Sequence, residues 1–162
     1  MPAPDPLIDF LRQQKHHTEH EQVSWAEIRE AWIKDLHDLM SQFKEWLQDA
    51  VAEHLLTVEE SEVLLSENNL GTYSAPALTI CAPRSRSVHI VPKARVVLGS
   101  EGRVDFESGP NRAKLLRVAG DWKFVREDFS GSPLGPLAAP MKRELADLNE
   151  QNFRETIREL LA

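Results

Sequence analysis

The stretch RVDFESGPNRAKLLRVAGDWKFVR, residues 103–126, decides the fold. Arg103, Asp105 and Glu107 alternate with Val104 and Phe106, a two-residue period that turns the apolar pair toward a core and three charges away from it. Gly109-Pro110 interrupts the pattern, a second run covers 113–118, Gly120-Asp121 interrupts again, and a third run covers 122–126. Short runs divided by turn residues predict consecutive antiparallel strands.

The same arrangement extends upstream. Runs at 63–65, 77–82, 87–91 and 95–98 are separated by Asn68-Asn69, Gly71, Pro83, Pro92 and Gly99. Residues 60–129 therefore read as an antiparallel meander of five to seven strands, with one face covered. The cover is a helix. Trp25, Ile28, Trp32, Leu36, Leu39, Phe43, Trp46 or Leu47, and Ala50 recur with a 3.6-residue period, and no Pro or Gly interrupts them. Thirty-odd residues of helix span about 45 Å, more than a small sheet is wide, so part of this helix is expected to overhang its domain.

Asp5-Pro6 forms a cap and first-turn pair for an earlier helical start carrying Leu7, Ile8, Phe10 and Leu11. Ser24-Trp25-Ala26-Glu27 has capping-box spacing and favours a fresh start after the polar stretch 13–22. Residues 130–140, SGSPLGPLAAP, read as a linker. A helix over 141–162 follows, with Asp147 and Glu150 at cap spacing and Phe153, Ile157, Leu160 and Leu161 as its stripe. The whole is one α+β domain over 1–162: helical to 57, sheet over 60–129, linker, then C-terminal helix.

Composition narrows the function classes. A single cysteine excludes an intramolecular disulfide framework and a Cys-rich zinc site. MPAPDPLIDFLRQQ places acids before its first apolar run and has no cationic start, unlike a secretory signal, and no apolar run reaches the roughly 20 residues of a membrane span. A cytoplasmic protein without membrane contact is expected. The net charge of −7 is unevenly distributed. Residues 1–83 hold 5 Lys/Arg against 15 Asp/Glu, residues 84–126 hold 10 against 4, and residues 127–162 hold 4 against 7. The basic middle either meets an anionic partner or is balanced by the chain's own acids, and the second arrangement is cheaper.

Four groupings bear on chemistry. His16, His17 and His20 with Glu19 could present two imidazoles one helical turn apart, but a third ligand and an HExxH pattern are missing, so no metal is assigned. Pairing Ile80 with Ile90 in a hairpin sets Cys81 opposite His89, about 5 Å apart at Cβ. Such a pair could supply nucleophile and base, although no residue is evident to orient the imidazole. Arg84, Arg86, Lys93, Arg95, Arg103, Arg112 and Lys114, with Arg117, Lys123 and Arg126, form an anion-binding candidate if they converge on the open sheet face. The aromatic residues among them, Phe106, Trp122 and Phe124, fall on core positions and leave no stacking platform for single strands. Finally, Trp25, Trp32, Phe43 and Trp46 lie along one helix, and rings of that kind anchor interfaces.

No phosphate-loop, dinucleotide, nucleophile-elbow or paired-cysteine motif occurs, so no cofactor is expected. The sequence points to a non-enzymatic interaction module, an accessory subunit, adaptor or regulator. Its helix would meet another protein or a second copy of the chain. Nucleic-acid or phosphate binding by the basic block is the alternative.

Overall fold

The computed structural model describes the backbone of residues 5–97, 100–128 and 142–162, and the side chains of all these but 17–23, 126–128 and 142–143. The linker expected over 130–140 lies outside the described residues. Seven strands form one sheet in the order β1 to β7, every neighbouring pair antiparallel: Thr57–Glu67, Gly71–Cys81, Val88–Ala94, Arg103–Ser108, Asn111–Val118, Asp121–Asp128 and Lys142–Asp147. The α+β architecture expected from the sequence is the one observed, with a long N-terminal helix, a meander and a C-terminal helix.

α1 runs unbroken over Pro6–Trp46. Asp5 caps it, its side chain accepting from the Leu7 amide at 2.9 Å, and Pro6 takes the first turn, where a missing N–H costs nothing. The fresh start expected at Ser24 does not occur. The polar stretch contains no Gly or Pro, and extending an existing helix is far easier than nucleating another. The helix ends earlier than expected: Leu47 leaves helical geometry, a five-residue α2 covers Gln48–Ala52, and the chain enters β1 at Thr57.

Two further boundaries differ from the sequence reading. Pro92 lies inside β3, next to a register shift between Pro92 and Ala94, and residues 95–97, the described part of the run expected at 95–98, lie outside the strands of the sheet. The seventh strand is Lys142–Asp147, within the segment read as the start of the last helix. α3 begins only at Glu150, capped by Asn149, which accepts from the Asn152 amide at 2.8 Å.

One face of the sheet and both long helices share a single core. Val88 and Ile90 of β3, Val104 and Phe106 of β4, Leu115 of β5 and Phe124 of β6 meet Leu36, Leu39 and Phe43 of α1, and Phe153 and Ile157 of α3. The first hairpin changes parity as it passes under α1. In β2 the core residues are Tyr73 and Ala75 at one end and Leu78 and Ile80 at the other, while β1 contributes Val63 and Leu65, then Val58. Trp32 closes the opposite end of the core, tilted against Trp122 at 5.8 Å between centroids. Its ring occupies the space that any side chain at position 102 would need. A Cβ there would lie 2.4 Å from Cζ3 and 2.5 Å from Cη2 of Trp32. Gly102→Ala is therefore expected to lower stability by about 2–3 kcal/mol, read as a fall in the urea midpoint with an altered tryptophan emission.

Candidate functional site

The aromatic helix stripe is divided by its surroundings. Trp32 and Phe43 are fully buried. Phe43 lies flat on Phe153, with centroids 4.6 Å apart, and meets the edge of Phe106 at 5.6 Å. Trp25 and Trp46 are half-buried and pack on the same core. In the folded chain Trp32 and Phe43 are closed to any partner, so as contact residues they are corrected to core residues.

A buried relay fixes Trp32. Its Nε1–H donates to the Tyr73 hydroxyl at 3.1 Å, and Tyr73 donates to the Glu67 carboxylate. Glu67 also accepts from the Arg95 and Val96 amides at 2.9–3.1 Å, and Arg29 donates to the Leu70 carbonyl at 3.1 Å. These bonds tie α1 to the β1–β2 turn and to the end of β3. The sequence did not mark Glu67 or Tyr73, because the four elements that meet there are far apart in the chain.

The Cys81–His89 pair is overturned. β2 and β3 pair Ile80 with Val88 and Thr79 with His89, two residues from the expected register. Cys81 Sγ lies 3.4 Å from Ser87 Oγ, and His89 Nδ1 lies 3.1 Å from Thr79 Oγ1. The turn sets this register: Ser85 N–H donates to the Ala82 carbonyl, with Pro83 and positive-φ Arg84 between them. Alternation holds the face of each strand but permits slips of two residues. His16 is exposed, while the side chains of His17, Glu19 and His20 lie outside the described set. Among the described residues no group of three His, Cys, Asp or Glu is placed to hold a metal ion.

The basic block does not form one patch. Lys93, Arg103, Lys114 and Lys123 alternate with core residues on their strands and so stand on the sheet face turned away from α1, but acids are interleaved with them. Lys93 pairs with Glu107 at 2.8 Å, Arg103 grips Asp105 through two bonds of 2.7 and 2.8 Å, and Lys123 bonds Asp147. The bond to Asp147 holds the Lys123 ammonium above the usual lysine range. Asp105 is only 2% exposed, so the outward charge expected from alternation is enclosed and neutralised on that face. Arg117 stands on the other face, where it pairs with Asp35 of α1 and lies over the Trp122 ring. Arg95 sits beyond β3 with its amide on Glu67. Arg112 is exposed at the start of β5, and Arg84 and Arg86 are exposed in the β2–β3 turn. The Arg126 side chain lies outside the described set.

The arm of α1 carries four of the nine large apolar side chains that stand exposed among the described residues. Residues 5–16 are exposed throughout, and Trp25 is the first described α1 side chain to pack on the core. The described exposed part of the arm, residues 6–16, amounts to roughly 16 Å of helix. At its tip Leu7, Ile8, Phe10 and Leu11 are 61, 42, 55 and 50% exposed. The sequence already showed these four side chains. What it hid was that a continuous helix holds them away from the core.

No helix among the described residues is long and apolar enough to cross a membrane. No family model, curated protein or solved structure matches the chain.

The relay at Tyr73 makes a direct prediction. Burial first, and then the hydrogen bond to Glu67, raise the Tyr73 hydroxyl above its ordinary value of 10.0. The folded state thus holds this proton where the unfolded chain releases it. The relay's contribution is complete below about pH 10 and declines as the pH rises above it. Tyr73 is the chain's one tyrosine, so absorbance at tyrosinate wavelengths reports it alone. Native protein should show no tyrosinate step near pH 10, urea-unfolded protein should show one, and Tyr73→Phe should flatten the alkaline loss of stability while costing about 1–3 kcal/mol at neutral pH.

Proposed function

We propose that the chain is a non-enzymatic interaction module that docks through the N-terminal arm of α1. The observation that carries this reading is the arm tip, where four adjacent large apolar side chains stand in solvent on a helix that the body does not cover. A patch of that kind is characteristic of a binding surface. An accessory subunit, adaptor or regulator would use it as a helix laid into an apolar groove, with anchors at i, i+3 and i+4. The rest of α1 serves as the mount, with Trp32, Leu36 and Phe43 holding it to the sheet.

The alternative, an anion-binding or nucleic-acid-binding accessory, rests on exposed Arg84, Arg86 and Arg112, because Lys93, Arg103 and Lys123 are held in ion pairs. The two readings separate by salt. Phosphate contacts weaken steeply between low and moderate salt, and an apolar helix interface does not.

The test is the double variant Leu7→Glu/Phe10→Glu in the full chain. It should melt within about 0.5 kcal/mol of the wild type, because neither side chain is in the core, and should lose the partner that the wild type retains at moderate salt after nuclease treatment. Trp32→Ala should instead cost about 3–5 kcal/mol. Full partner retention by the tip variant would sink the reading.

A further inference from the structure

Nine large apolar side chains are prominently exposed among the described residues, and six of them gather at the two ends of α1. Leu7, Ile8, Phe10 and Leu11 stand at its start, and Val51 and Leu55 lie just past its end. Beside that far end an open groove of about 410 Å³ runs between α2, the entry to β1 and α3. Leu47, Ala50, Leu56, Ile157 and Leu161 line it, and Arg158 stands among them. We infer that this groove receives the arm tip of a second copy, reciprocally, in a two-fold dimer with the α1 helices antiparallel. The inference rests on the arm being the docking element and names what it docks into.

Reach decides between the chain's own groove and that of a copy. Forty residues separate Leu7 from Leu47, about 60 Å of helix, so no chain can fill its own groove. In an antiparallel pair that same length brings each tip to the other's groove, and the contact closes on itself instead of propagating. Area decides between one contact and two. Four such side chains at their observed exposure present on the order of 400 Å² of apolar surface. The groove side adds less, because Leu47 and Ile157 in its lining are each only 4% exposed. One docked tip therefore buries less than the roughly 800 Å² of a lattice contact, and only two reciprocal tips together approach the lower end of a stable interface.

Charge gives direction to the encounter. The tip carries Asp5 and Asp9 before its first cation, Arg12. Ser85 also lines the groove, flanked in sequence by the exposed Arg84 and Arg86. Neither these two nor Arg158 has an ion pair among the described residues, whereas Arg154 is held by Asp49 and Glu150. An acidic tip approaching a cationic groove end is steered over roughly a Debye length, although the whole chain is acidic.

Sedimentation equilibrium on the full chain, combined with cross-linking, tests the inference. Wild type should be a dimer. Leu7→Glu/Phe10→Glu should raise its dissociation constant at least about a hundredfold, and Ala50→Glu, which puts a charge into the groove without opening a cavity, at least about tenfold. In a Cys81→Ser background, Phe10→Cys and Ala50→Cys chains mixed and treated with a short bismaleimide should give a covalent heterodimer, and Phe10→Cys alone should give none. A wild type that stays monomeric to about 0.5 mM overturns the second-copy occupant while leaving the arm open to a foreign partner. A dimer unaffected by the tip variant overturns both this inference and the arm reading. A dimer that depends on the tip but yields no Phe10–Ala50 cross-link overturns the groove.

Discussion

Phe43 lies flat on Phe153 with their planes within 1°, and both rings meet Phe106 edge-on from the sheet below. This cluster joins three elements that share no backbone hydrogen bonding: α1, α3 and the central strand β4. Phe106 extends it to Phe124 of β6 at 5.4 Å, and Phe43 extends it to Trp46 at 6.0 Å. Offset and edge-to-face ring pairs each contribute about 0.5–1.5 kcal/mol beyond the area they bury, and here they all converge on one site. α3 depends on it in particular, because a 12-residue helix is marginal alone and its packing face is Phe153, Ile157 and Leu160. The Ser108 hydroxyl, donating to the Leu160 carbonyl at 2.9 Å, then fixes the far end of α3 over the sheet.

Legibility in the sequence followed the range of the interaction responsible. β4, β5 and β6 were readable because alternation and Gly-containing turns lie within a few residues of one another, and the structure places Val104, Phe106, Leu115 and Phe124 in the core. The start of α1 was readable from Asp5-Pro6 for the same reason. β7 was not. Lys142-Arg143-Glu144-Leu145-Ala146-Asp147 is made largely of helix formers, and only pairing with β6, including the Lys123–Asp147 contact, keeps it extended. Seven strands were within the expected range, but through different members: residues 95–97 stand outside the sheet and 142–147 join it. The β2–β3 register was lost by two residues at a single turn, which was enough to part Cys81 from His89.

The charge segregation resolves into short pairs more than into opposed blocks. Arg117 and Asp35 do bridge the basic middle to the acidic helix. Arg103–Asp105 and Lys93–Glu107, however, are pairs within the basic block, and Lys123–Asp147 joins it to the C-terminal segment. Lys44 and Glu60 form a further pair inside the acidic portion, between α1 and the edge strand β1. On β1 the glutamates at 59, 60 and 62 stand exposed, and a strand edge dressed with like charge resists pairing with another sheet. The segment totals showed an excess of cations but not that two of the block's four acids, Asp105 and Glu107, sit beside them. Outside these pairs stand exposed Arg84 and Arg86 in the β2–β3 turn and Arg112 at the start of β5.

The arm's geometry follows from where its helix is anchored. A free peptide of the arm's sequence would be mostly unfolded, because the nucleation of a helix costs a factor of roughly 10³. Joined to the buried half of α1, the arm needs only propagation, and Asp5 closes its far end by accepting the Leu7 amide. The nucleus is therefore supplied by Trp32, Leu36 and Phe43 in the core, tens of ångströms from the tip that it orders. In the proposed docking, a tip held in this way would arrive already helical and lose less conformational freedom than a disordered segment. The same anchoring explains why the tip stays in solvent: a stiff helix cannot fold back to bury Leu7 and Phe10 against its own sheet. On the proposed reading another molecule covers those side chains, and the continuity of α1 through its polar middle is the feature that keeps them clear of the chain's own core.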